Sequence, residues 1–304
     1  MPFWLVLTLL AAFGQNVRSS VQRHLKGRLS TGSITFVRFG FGWPFALTFL
    51  ALITLAGGGA ERAPGGAFVA WSIAAALAQI GAQALLIALF SHRNFAAGSA
   101  YARVESVQAA LLAPAMLGES VGALAWFGIG LGAVGVLAIS ATDDLRPVAL
   151  VRALGTRAAL MGLGSATLFG FSANAFRAAS LTLGAPEAPL DALHVGATTN
   201  GFAIVFQTVL LGAWLTLREP GQWRAIAEAW RPSLLVGFVG ATVSLGWFAA
   251  FALQQAAIVK AVAQVELIFA ILTSALVFKE RVRAREIAGM ALIGLGVGVL
   301  VLLR

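Results

Sequence analysis

Apolar residues run along the chain in stretches of about twenty or more, separated by short groups of glycine, proline and charged residues. A helix rises roughly 1.5 Å per residue and needs about twenty residues to cross a bilayer's hydrocarbon core, so each stretch reads as a membrane span. Breaking the stretches at glycine, proline and charge clusters predicts ten spans. The first five are 3–25, 30–56, 66–90, 95–117 and 121–141, and the second five are 156–183, 190–217, 232–253, 257–278 and 282–303. The opening stretch has neither the basic start nor the small-residue cleavage site of a signal peptide and is expected to continue as the first span. The predicted fold is all-α and polytopic.

The pattern repeats. At an offset of 161 residues, Val104-Glu105 meets Val265-Glu266 and Glu119 meets Glu280, while Gly128, Leu131, Gly135 and Val136 meet Gly289, Leu292, Gly296 and Val297. Earlier parts match more loosely: Phe13-Gly14 answers Phe169-Gly170, and Arg38 falls opposite Asn200 at an offset of 162. The chain therefore divides into a repeat over 1–145 and a second over 146–304, joined by the polar stretch 143–157. Because each repeat has an odd number of spans, the two cross the membrane in opposite directions, the inverted arrangement of many secondary transporters.

Composition and charge sharpen this picture. Hydrophobic residues make up 59% of the chain, charged residues 11%, and the mean hydropathy is +0.88, so the bilayer is the expected solvent. The net charge of +9 is dispersed over short loops and forms no basic domain, which excludes a nucleic-acid partner. Lysine and arginine collect in the odd-numbered loops, among them Arg23, Lys26, Arg28, Arg93, Arg218, Arg224, Lys279 and Arg283. By the positive-inside rule those loops face the cytoplasm and both termini face out, across what is expected to be a bacterial inner membrane. With no cysteine, thiol and disulfide chemistry is absent.

Glu105 followed by Gly118-Glu119 and Gly128, and its echo Glu266 followed by Glu280 and Gly289, resemble the drug/metabolite transporter superfamily, specifically its ten-helix EamA-type exporters. The resemblance implies two inverted five-helix repeats around a central cavity and export of amino acids, related metabolites or drug-like solutes. It does not carry over a substrate, because Arg38 and Arg103 lie deep in their spans.

Ionisable groups at mid-depth are costly and mark function. Counted at 1.5 Å per residue from the starts of spans two and four, Arg38 and Arg103 lie at about 12 Å and Glu105 at about 15 Å. The same count along spans seven and nine places Asn200 at about 15 Å and Glu266 at about 14 Å. Two readings stand for Arg38 and Glu105: a buried pair joining spans two and four, or part of a binding site. Asn200, not an arginine, accompanies Glu266 in its repeat, so Glu266 is expected to serve the solute or a coupled proton. Tyr101, Glu105 and Gln108 share one face of span four and are read as a cavity wall. Gln79, Gln83 and Asn174 are further mid-span polar groups, and Trp247 lies deep enough to meet an apolar solute.

Other motifs point away from cofactor chemistry. The G-x-G-x-x-G run 130–135 lies inside an apolar span, without the strand and helix start that dinucleotide binding requires. Gly128, Gly132, Gly294 and Gly298 instead suit close helix packing. No ATP-binding loop occurs. His24, His92 and His194 lack metal-ligand spacing. The expectation is thus a cofactor-free secondary transporter with a small-molecule substrate, as a monomer or homodimer in the lipid bilayer. A membrane-embedded enzyme, or a facilitator for another class such as nucleotide sugars, is the alternative. An enzyme should bring a His/Asp/Glu cluster to one membrane face.

Overall fold

A computed structural model describes residues 1–25, 28–89, 104–140, 156–277, 279 and 282–302. Among the described residues there is no strand. The helices are α1 (Phe3–Leu25), α2 (Thr31–Gly40), α3 (Trp43–Leu55), α4 (Gly66–Leu89), α5 (Glu105–Leu117), α6 (Ala123–Ser140) and α7 (Arg157–Thr182). They continue as α8 (Pro189–Arg218), α9 (Gln222–Glu228), α10 (Trp230–Leu253), α11 (Ala256–Ala263), α12 (Val265–Val277) and α13 (Ala284–Leu302). Seven stretches among the described residues are long and apolar enough to cross a membrane, two of them running through a break between consecutive helices.

Those breaks have local causes. Ser30 caps α2, its Oγ accepting from the Ser33 N–H at 3.1 Å, which satisfies one of the orphan donors at a helix start. The span expected over 30–56 is interrupted at Phe41–Gly42 because Pro44 lacks an N–H and its ring crowds the preceding turn. A Cβ on Gly42 would lie 2.6 Å from the Arg38 carbonyl oxygen, so only glycine fits this corner. The span expected over 257–278 is broken at Gln264 into α11 and α12.

The chain forms two compact units. Unit one comprises Met1–Ala76 with Phe176–Gln254, and unit two Leu77–Ala175 with Gln255–Arg304. Each draws on both sequence repeats. In unit one, α1, α2, α3 and α8 pack on α10. Its buried interior includes Phe68, Ala179, Leu183, Val195 and Ala252, and Phe176 packs on Phe248 with ring centroids 4.4 Å apart.

In unit two the closest pairing joins α6 to α13. A Cβ on Gly135 would lie 2.6 Å from the Gly289 carbonyl oxygen, and one on Gly296 2.7 Å from the Gly128 carbonyl oxygen. These helices touch backbone to backbone, as small residues permit in membranes. Since Gly128 meets Gly296 while Gly135 meets Gly289, α6 and α13 run antiparallel. The four glycines expected from sequence are corrected in part. Gly128 and Gly132 lie in close contacts, but Gly294 and Gly298 have open space around them, and Gly289 and Gly296 take that role.

Candidate functional site

Unit two brings several of the expected polar residues onto α5 and its neighbours. Glu105 is the first residue of α5, where the amide ends of the helix favour a carboxylate. Its partner is Lys260 of α11, with Nζ 3.2 Å from Glu105 Oε1 and side chains only 19% and 28% exposed. Of the two sequence readings of Arg38 and Glu105, the one that made them an ion pair is replaced by the pair Glu105–Lys260. The Lys260 ammonium also lies 5.9 Å from the centre of the Phe169 ring. One turn along, Gln264 Nε2 donates to Ser106 Oγ at 2.8 Å, so α11 and α5 are stitched by an ion pair and a hydrogen bond.

Asn174 is fully buried, and its Nδ2 donates to the Ala109 carbonyl at 2.8 Å, tying α7 to α5. One turn earlier Gly170 lets the backbones close, since a Cβ there would lie 2.8 Å from the Ala109 nitrogen. Gln79 and Gln83 are half-buried one turn apart on α4, and Glu266 is half-buried in the first turn of α12. Tyr101, Arg103 and His92 lie outside the described residues. Of the polar face expected along span four, Glu105 and Gln108 are described, both half-buried.

In unit one, Arg38 ends α2, where a cation suits the carbonyl end of the helix. Its Nη2 donates to Ser244 Oγ at 3.4 Å and its guanidinium lies 4.9 Å from the Phe39 ring centre. Asn200 is fully buried, with Nδ2 donating to the Ala241 carbonyl at 3.0 Å, so α8 is held to α10. Trp247 is buried and stacks on Phe251, with ring centroids 6.5 Å apart and planes inclined by 23°.

Two buried arginines escaped the sequence reading. Arg177 Nη1 donates to the carbonyls of Phe251 at 2.6 Å and Gln254 at 2.7 Å, supplying the capping donors that the end of α10 lacks. Arg18 of α1 is buried near Arg38, its Nη2 donating to Gln15 Oε1 at 3.4 Å. The signal was available for Arg177, a cation deep inside the apolar span 156–183, whereas Arg18 shares the polar second half of span 3–25 with Gln15, Asn16 and Arg23.

Apolar helices with backbone-to-backbone glycine contacts, and buried polar side chains that bond to neighbouring helices, define a multi-pass α-helical membrane protein. Its residues 156–302 match the EamA-like transporter family, which implies a membrane transporter of small solutes. No curated protein matches the chain. Solved structures do, one of them described only as a crystal structure of a protein. It superposes with a TM-score of 0.69 at 15% identity, covering 99% of this chain and 98% of that one, and so shares the fold.

Proposed function

We propose that the protein is a secondary transporter that exports small metabolites, such as amino acids or drug-like solutes, across the bacterial cytoplasmic membrane. In this reading ten spans form two inverted five-helix repeats, with the odd loops in the cytoplasm and both termini outside. The observation that carries it is the reciprocal contact of α6 and α13. At the offset of 161, Gly128 is the counterpart of Gly289 and Gly135 of Gly296. Each of these glycines touches the counterpart of the other, the exchange that a two-fold axis produces. The backbone supports the same register. Gly118 caps α5 with φ 67°, and Lys279, also 161 residues on, has positive φ at 54°. Left-handed backbone is natural for glycine and unfavourable for lysine.

Within this reading Arg38, Gln79, Gln83, Tyr101, Glu105, Asn174, Asn200, Trp247 and Glu266 are the residues that serve the solute. Glu266 is assigned to the solute or to a proton moving with it, as a carboxyl group within the apolar span Ala256–Thr273. Glu266→Gln keeps the shape and removes the titration. In reconstituted vesicles it should abolish pH-driven accumulation of labelled amino acids while leaving exchange intact. Wild-type accumulation by Glu266→Gln across roughly pH 5 to 9 would reject the assignment.

A further inference from the structure

We infer that unit one holds an oxyanion site formed by Arg18 of α1 and Arg38 of α2, and that the solute it takes carries a carboxylate or phosphate group. The site is a matter of geometry within unit one; that its ligand is transported cargo rests on the function proposed above.

The two side chains are brought together by a glycine. Both α1 and α2 pack against α10, and at Gly240 of α10 a Cβ would lie 3.2 Å from Arg38 Cγ and 3.7 Å from Arg18 Cδ. Both stems therefore run over one residue, and any side chain there would displace them. Guanidinium groups stay protonated at all physiological pH values, so this places two permanent positive charges side by side. Like charges repel strongly where water is scarce, so the arrangement favours an anion that both can contact.

Arg38 also has donor capacity in hand. Its hydrogen-bond acceptor is the neutral hydroxyl of Ser244, its other contact is the Phe39 ring, and its buried Nε has no hydrogen-bond partner. The residue as a whole is half-buried. A planar fork with an N–H that lacks a partner suits the two oxygens of a carboxylate or phosphate.

The repeat shows that packing does not require the charges. Arg38 is the counterpart of Asn200, and the register that sets Phe13-Gly14 on Phe169-Gly170 makes Arg18 the counterpart of Asn174. Both asparagines are fully buried and hold a neighbouring helix by donating to a backbone carbonyl. A neutral amide thus serves as the structural tie in one repeat, while the other carries a pair of cations at the same two positions. Such a difference between otherwise related halves fits recognition of a charged ligand.

The test uses the full chain in nanodiscs of neutral phosphatidylcholine, with the unfolding midpoint followed against sodium benzoate, sodium phosphate and benzamide at matched ionic strength. Benzoate or phosphate should raise the midpoint by several degrees in a saturable manner, and benzamide should not. R38Q and R18Q should each weaken oxyanion binding about tenfold or more, as loss of a charged hydrogen bond does, with R38K intermediate. R38Q removes one of two neighbouring like charges, so its midpoint without ligand should equal or exceed that of the wild type. Equal responses to benzoate and benzamide would overturn the site, as would undiminished oxyanion responses in both glutamine variants. A response seen only when the discs contain phosphatidylglycerol would assign the arginines to lipid headgroups and overturn the solute site. Flux separates the two proposals: R38Q vesicles that move amino acids at the wild-type rate leave a transporter without this site. A retained benzoate response with no flux of any solute leaves the site without the transporter.

Discussion

Glu105 and Lys260 lie 155 residues apart in the chain, so no local pattern announces that they pair. Depth, the repeat counterpart Glu266 and the face shared with Tyr101 and Gln108 singled out Glu105, but depth alone suggested Arg38 as its partner. The choice of Lys260 depends on how α11 packs against α5, which one sequence does not specify. Asn174 and Asn200 were legible as mid-span polar groups, but not the backbone carbonyls they hold. Arg177 was legible in principle, as a cation inside an apolar span, but its capping role needs the end of α10 in view. Removing one partner of this largely buried ion pair leaves the other charge without its counter-ion. Glu105→Gln or Lys260→Gln should therefore each cost about 3 kcal/mol of stability, and the double substitution should recover most of it. Chemical unfolding in detergent measures this, and silent single substitutions would show that the pair contributes nothing to folding.

At the scale of helices, the alternation of apolar runs with glycine, proline and charge located most of the elements. Span 3–25 coincides with α1, and spans 66–90 and 232–253 fall within two residues of α4 and α10 at each end. The interruptions at Gly42 and Gln264 were missed because hydropathy averages over a window longer than a break, although Pro44 was a readable cause of the first. Glycine spacing correctly suggested close packing but chose Gly294 and Gly298 where Gly289 and Gly296 make the contact, since spacing does not say which face meets the neighbour. The contact itself is testable. Gly135→Ala sets a methyl against the Gly289 carbonyl, and neither backbone can yield without separating α6 from α13. A loss of about 1–3 kcal/mol is expected from such overpacking. Gly130→Ala, in the same helix but with no atom within 4 Å of the new Cβ, should be neutral or slightly stabilising. Equal effects from the two would remove the glycine contact from the account.

At the scale of the molecule, orientation and activity are what remain to be measured. If the lysine and arginine bias sets the orientation, both termini lie outside, and alkaline phosphatase fused after Arg304 should be active in a bacterial host and a fluorescent protein at the same point dark. The reverse pattern would overturn the proposed orientation without bearing on the proposed inverted repeat. The central claim, that the chain moves small solutes, is tested most directly by flux. Purified protein in liposomes should take up at least one labelled solute from a panel of amino acids, nucleotide sugars and cationic drugs. That uptake should be saturable and faster than in protein-free vesicles, and the unlabelled solute should compete with it. Rates equal to those of protein-free vesicles for every solute, from protein shown to be folded and inserted, would contradict the claim.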